Sequence, residues 1–138
     1  MAEDLGPAAG RIRLKITCPT HLVADLEVDS VRLPGVLGNR LVLPHQAPYF
    51  MCLTAGPAIL HRAGQNDVVY LLSAGVCEVR RDICAVMAWA IRPEDVDPAV
   101  IQDRLQTART VIQKVILPMA RQEIADRIAF YEMILKGR

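Results

Sequence analysis

The sequence predicts an α+β protein, with an N-terminal antiparallel β-sandwich followed by a C-terminal antiparallel two-helix hairpin. Three observations predict it. Short β-type runs alternate with turn residues up to about residue 90, the apolar period then changes from two to about 3.6, and Pro118 divides the helical part in two. The expected division is a disordered leader over residues 1–10, a β-sandwich domain over 11–92 and a helical hairpin over 93–138. The chain has 138 residues, 52% of them hydrophobic, enough for one domain with a real core.

The first strand is Arg11 to Ile16, where basic and apolar side chains alternate and mark one wet and one buried face. Pro19-Thr20 turns it. A second strand is expected from Leu26 to Leu33, although its alternation is imperfect. The segment Leu33 to Pro48, LPGVLGNRLVLPHQAP, follows as a shaped, stiff loop. Pro34-Gly35 suits the central pair of a type II turn, Gly38 permits a second reversal, and Pro44 ends the short strand Leu41 to Leu43. Further strands are expected at Tyr49 to Leu53, Ala58 to Arg62, Val68 to Ser73, Val76 to Arg80 and Ile83 to Trp89. Gly56-Pro57, Ala63 to Asn66, Ala74-Gly75 and Arg81-Asp82 supply the turns between them. This spacing points to a sandwich or barrel rather than to βαβ units.

Asp97-Pro98 starts the first helix: Asp97 caps free N–H groups, and Pro98 at the first helical position loses no hydrogen bond. Ile101, Leu105, Ala108, Ile112 and Val115 form its apolar stripe. Pro118 opens the second helix, with Ala120, Ile124, Ile128, Tyr131 and Leu135 as its stripe and Gly137 as its stop. Met119, Phe130, Met133 and Ile134 lie off that stripe. They call for a second apolar contact, for which a partner surface is the simplest cause.

Several function classes are disfavoured. A net charge of +1 with scattered basic residues and few aromatics offers neither a phosphate-tracking stripe nor a stacking platform for nucleic acid. Cys18, Cys52, Cys77 and Cys84 lack any C-x-x-C spacing and read as small buried hydrophobes. His21, His45 and His61 are separated by strands and turns, so a zinc or catalytic site is not expected. Glu78, Asp82, Glu94, Asp95 and Asp97 supply carboxylates, yet no nucleophile and base share a recognisable spacing, and the chain reads as a non-enzyme without a cofactor. No run reaches the roughly twenty apolar residues of a membrane span. The leader carries Glu3 and Asp4 without an apolar core, unlike a secretory signal or transit peptide.

The order of the motifs adds a resemblance. Leu14 to Thr17 followed by Pro19-Thr20, the strand Val28 to Arg32, the PG-x-x-G…LP…AP loop, Ala55-Gly56-Pro57, Ser73 to Val79, and Ala90-Ile91-Arg92 leading to Asp97 together resemble the epsilon subunit of the F-type rotary ATP synthase. The resemblance runs from about Arg11 to about Lys136. The sequence departs from the family pattern at Leu41, where a third glycine is usual, and at His45-Gln46, where Gly-His is usual. It also has Val100 where nucleotide-binding members carry an arginine, so ATP binding is not implied.

The resemblance implies a non-catalytic part of the central stalk that joins the gamma subunit and the membrane ring, at the cytoplasmic face of a bacterial inner membrane. Asn39 and Arg40 would then contact the ring, with His45 and Gln46 nearer gamma. It also implies a regulatory helical tail that opposes ATP hydrolysis. From Asp97 onward there are seven basic and five acidic side chains, and Arg104, Arg109, Arg121 and Arg127 are the candidates for approaching a catalytic beta subunit. The competing reading is a stand-alone β-sandwich interaction module with a helical dimerisation arm.

Overall fold

A computed structural model describes residues 7–136, so the leader expected over residues 1–10 and the stop at Gly137 lie largely or wholly outside the described residues. Ten strands precede two helices. The strands are β1 (Ile12–Thr17), β2 (Leu22–Val28), β3 (Ser30–Gly35), β4 (Gly38–Val42), β5 (Tyr49–Leu53), β6 (Gly56–His61), β7 (Val68–Leu72), β8 (Gly75–Arg80), β9 (Ile83–Met87) and β10 (Ala90–Ile91). A 3-10 turn at Pro93–Asp95 leads to α1 (Pro98–Ile112) and α2 (Pro118–Lys136).

Hydrogen bonding runs in one path, β10-β7-β6-β3-β5-β8-β9-β1-β2, with β4 paired to β3. Every pairing is antiparallel except that of β1 with β9, which is parallel. Ile12, Leu14 and Ile16 of β1 share one buried cluster with Val31 and Leu33 of β3, Leu60 of β6, Leu72 of β7 and Val86 of β9. The ribbon therefore folds over its own inward face, which gives the sandwich its core. Alternation is the cause: in β1 the apolar residues are fully buried while Arg13 and Lys15 stay on the wet side.

Three expectations are corrected. The strand expected from Leu26 to Leu33 is two strands broken at Asp29, whose N–H donates to His61 O (2.9 Å) and whose carboxylate accepts from Ala63 N (2.6 Å). That residue lets the chain leave β1 and join β6. Pro34-Gly35 is not the centre of a turn but the end of β3, paired with Asn39 and Gly38. Gly56-Pro57 likewise opens β6 rather than turning the chain.

Asp97 caps α1 as expected, its side chain accepting from Ala99 N at 3.1 Å. Ile101 and Leu105 of the α1 stripe are buried. In α2 the buried residues are Phe130 and Ile134, which stood off the expected stripe. They pack with Ile101 against Leu71 of β7 and Ile91 of β10. Phe130 and Ile134, with Met133 beside them, thus make the second apolar contact within the chain, where α1 and the sheet meet, whereas Met119 does not take part in it and stays 88% exposed. Because Ile101 near the start of α1 meets Ile134 near the end of α2, the two helices run antiparallel.

Candidate interaction site

The segment 33–48 forms a β-hairpin followed by a turn. β3 and β4 stay in register to Gly35 opposite Gly38, so only Val36 and Leu37 remain unpaired at the tip. Gly38 absorbs the reversal with φ of 123°. A side chain at Gly35 would place its Cβ 2.7 Å from Gly38 O, so the close approach of the two strands requires glycine there. The tip's base is braced by Val36 N donating to Cys52 O (3.0 Å) and Thr54 N donating to Pro34 O (2.9 Å). Leu37 is fully exposed and Val36 is 60% exposed. Two aliphatic side chains thus stand in water at the end of a stiff arm.

Asn39 and Arg40 are both exposed in β4, and the Arg40 guanidinium sits 3.9 Å from the centre of the Tyr49 ring. Tyr49 in turn donates its hydroxyl hydrogen to Gln46 Oε1 at 3.2 Å. Burial pushes the Tyr49 phenol up, and Arg40 opposes that shift. His45 takes a left-handed φ of 66°, and its N–H donates to Asp82 Oδ1 at 2.7 Å. Asp82 belongs to the β8–β9 turn, where Arg81 and Asp82 both have positive φ. Arg40 and Gln46 therefore meet at Tyr49, while His45 is tied to a different turn.

The four tail arginines are dispersed. Arg121 Nη1 donates to Ile112 O (2.6 Å) and Val115 O (3.0 Å), closing the end of α1 where carbonyls lack helical partners. Arg109 lies 3.7 Å from Glu132, and Arg127 lies 3.7 Å from Glu123. Only Arg104 and Arg127 share a site, a cavity of about 490 Å³ between the hairpin and the sheet that Glu123, Asp126 and Tyr131 also line. Basic and acidic groups are mixed there. Among the described residues no three His, Cys, Asp or Glu side chains gather in a metal-holding group, and no helix is long and apolar enough to cross a membrane.

Val36 and Leu37 escaped the reading of the sequence because Pro34-Gly35 drew the turn two residues upstream. The equal spacing of Gly35 and Gly38 around an apolar pair was the available signal. Cys18, Cys77 and Cys84 are buried as expected, whereas Cys52 is exposed on the outer face of β5.

Comparison with known proteins places these features in context. The family described as ATP synthase, Delta/Epsilon chain, beta-sandwich domain matches residues 11–94. The ATP synthase epsilon chain of Dehalococcoides mccartyi is 36% identical over 90 residues, covering 64% of this chain and 64% of that one. That of Carboxydothermus hydrogenoformans is 34% identical over 102 residues, covering 73% of this chain and 75% of the relative. The match thus spans somewhat under two thirds of the first of these relatives. In overall shape the chain is similar to one in the Euglena gracilis mitochondrial ATP synthase (OSCP/F1/c-ring), with a TM-score of 0.68 at 18% identity, covering 96% of this chain and 84% of the other. A chain of the Tetrahymena thermophila mitochondrial ATP synthase central stalk and c-ring gives a TM-score of 0.61 at 11% identity, covering 91% and 95%.

Proposed function

Since the chain belongs to the Delta/Epsilon chain family of the ATP synthases through its β-sandwich domain, we propose that it is a non-catalytic epsilon subunit of the central stalk. In this reading it links the gamma subunit to the membrane ring, turns with them at the cytoplasmic face of the bacterial inner membrane, and couples ion flow to ATP synthesis. The observation that carries the reading is the braced β3–β4 hairpin. A contact that transmits torque must not bend, and this arm is strand-paired to within two residues of its tip. Val36 and Leu37 supply apolar contact with the ring, Asn39 and Arg40 beside them supply hydrogen bonds suited to a wet interface, and His45 and Gln46 lie nearer gamma.

The test uses tagged full-length chain expressed in its native membranes. Gamma and ring subunits co-purify with the wild type, and Leu37→Asp, a change at a fully exposed position, loses the ring subunits while keeping the fold. Recovery of a small homodimer without larger partners would instead establish the stand-alone module.

The hairpin is the regulatory part of the same proposal. It is held to the sheet by a small cluster, Ile101, Phe130 and Ile134 against Leu71 and Ile91. Three buried side chains at roughly 1.5–3 kcal/mol each make a seat that a competing surface can displace. A released hairpin opposes hydrolysis by approaching a catalytic beta subunit with its arginines. Truncation before Asp97 raises ATP hydrolysis by the complex, and unchanged hydrolysis with an intact complex refutes the inhibitory role.

A further inference from the structure

Cys18 stands apart from the other cysteines in its surroundings. It closes the turn after β1, where its N–H donates to His21 O at 3.0 Å. The same turn brings three reactive side chains into a triangle: Cys18 Sγ lies 3.4 Å from His21 Nδ1 and 3.3 Å from Thr20 Oγ1, and Thr20 Oγ1 lies 2.9 Å from His21 Nδ1. Cys18 also forms part of the wall of a cleft of about 350 Å³, whose other lining includes Pro19, Ala74, Met87, Ala88 and Trp89. None of these features takes part in the proposed rotor contact. By contrast Cys52 is exposed on an open sheet face, and Cys77 and Cys84 face each other at 3.6 Å inside the core.

We propose that Cys18 is a nucleophilic modification site, paired with His21 as its base and opening on an apolar cleft that admits soft electrophiles of the α,β-unsaturated carbonyl class. The imidazole Nδ1 takes the thiol proton. Imidazolium N–H and the Thr20 hydroxyl then donate toward the thiolate, directly or in relay, and hydrogen bonding from Thr20 is the main influence holding the thiol below its ordinary range, against the opposing effect of burial. The sulfur electron pair attacks the β-carbon and forms an S–C bond. The C=C π pair moves to the carbonyl as an enolate, and the imidazolium returns the proton to the α-carbon. Nothing leaves, and no external oxidant or reductant is needed. Trp89, Met87 and Ala88 favour an aliphatic tail on the electrophile because its burial removes apolar surface from water.

Cys52 makes the experiment internally controlled, because accessibility alone favours it over Cys18, which is 4% exposed. The full chain is treated with substoichiometric 4-hydroxy-2-nonenal, in parallel with acrylamide as a small polar Michael acceptor, and adducts are mapped by peptide mass spectrometry over time. Cys18 reacts ahead of Cys52 with the nonenal, and its lead is larger than with acrylamide. His21→Ala, a change at an exposed side chain, slows Cys18 by about tenfold or more, in line with the loss of an adjacent general base, and leaves Cys52 unchanged. The rate at Cys18 in the wild type also rises at lower pH than the rate of free N-acetylcysteine with the same electrophile. Faster reaction at Cys52, an unaltered Cys18 rate in His21→Ala, or equal selectivity for the two electrophiles would overturn the proposal.

Discussion

Single residues show where backbone and charge leave no latitude. Gly75 begins β8 opposite Leu53, and a Cβ there would fall 2.1 Å from Met87 O and 2.8 Å from the Ala88 side chain. The obstacle is backbone, so relief requires the β8–β9 ladder to shift. Gly75→Ala is expected to cost about 2 kcal/mol or more, in the upper part of the range for overpacking, read as a lowered urea midpoint. Asp25 offers a different test. Arg13 reaches it from the neighbouring strand with two 2.9 Å hydrogen bonds, and that contact holds the Asp25 carboxyl below its ordinary value of 3.8. The folded state then binds this proton less readily than the unfolded chain. The resulting stability is complete above about pH 4, near the unfolded carboxyl value, and is lost as pH falls through the lower folded value. Asp25→Asn should therefore flatten the acid side of a plot of Tm against pH. The alternation of Arg13 and Lys15 with Ile12, Leu14 and Ile16 was readable in advance. The partner of Arg13 was not, because cross-strand register is set by the bulge after Ile16 and not by β1 itself.

At the scale of elements, α2 is the instructive case. Its period predicted one stripe, and the residues of that stripe, such as Ile124 and Tyr131, border the groove beside Ala108 and Val111 of α1. Phe130 and Ile134 face the sheet instead. Two apolar faces on one helix mean two neighbours, and only the fold says that the second neighbour is the protein's own sheet. Ile134→Ala should remove about 2–5 kcal/mol from that seat, as large-to-small core changes do. Amide exchange should accelerate across α1 and α2 while β1 and β9 keep their protection. The β3–β4 arm was legible as stiff from Pro34, Gly35, Gly38 and Pro44. Its tip was misplaced because local turn chemistry competes with strand pairing, and five paired positions outweigh one favourable Pro-Gly turn.

Across the whole molecule, the change from period two to about 3.6 after residue 90 announced both the sandwich and the hairpin. What no local pattern could announce is which strands meet. The switch of partners at Asp29 depends on His61 and Ala63, more than thirty residues further on. The candidate residues were legible in part for the same reason: Arg40 and Gln46 meet only because Tyr49 returns beside β4, and His45 is held by a turn near residue 82. A chain ending before Asp97 retains the buried cluster of the sandwich entire. It should give a β-type circular dichroism spectrum and a single cooperative unfolding transition.

The parallel pairing of β1 with β9 has a consequence for how the chain acquires this shape. Arg13 sits opposite Ile83, seventy residues later, and among the described residues β1 is the only bridge from β2 to the rest of the hydrogen-bonded path. On the ribosome the first strand must wait, with one hydrogen-bonding edge unpaired, until the ninth has emerged. Folding of such a topology is slow, on the order of milliseconds to seconds, and the interval before β9 arrives is when the nascent chain is most exposed to aggregation.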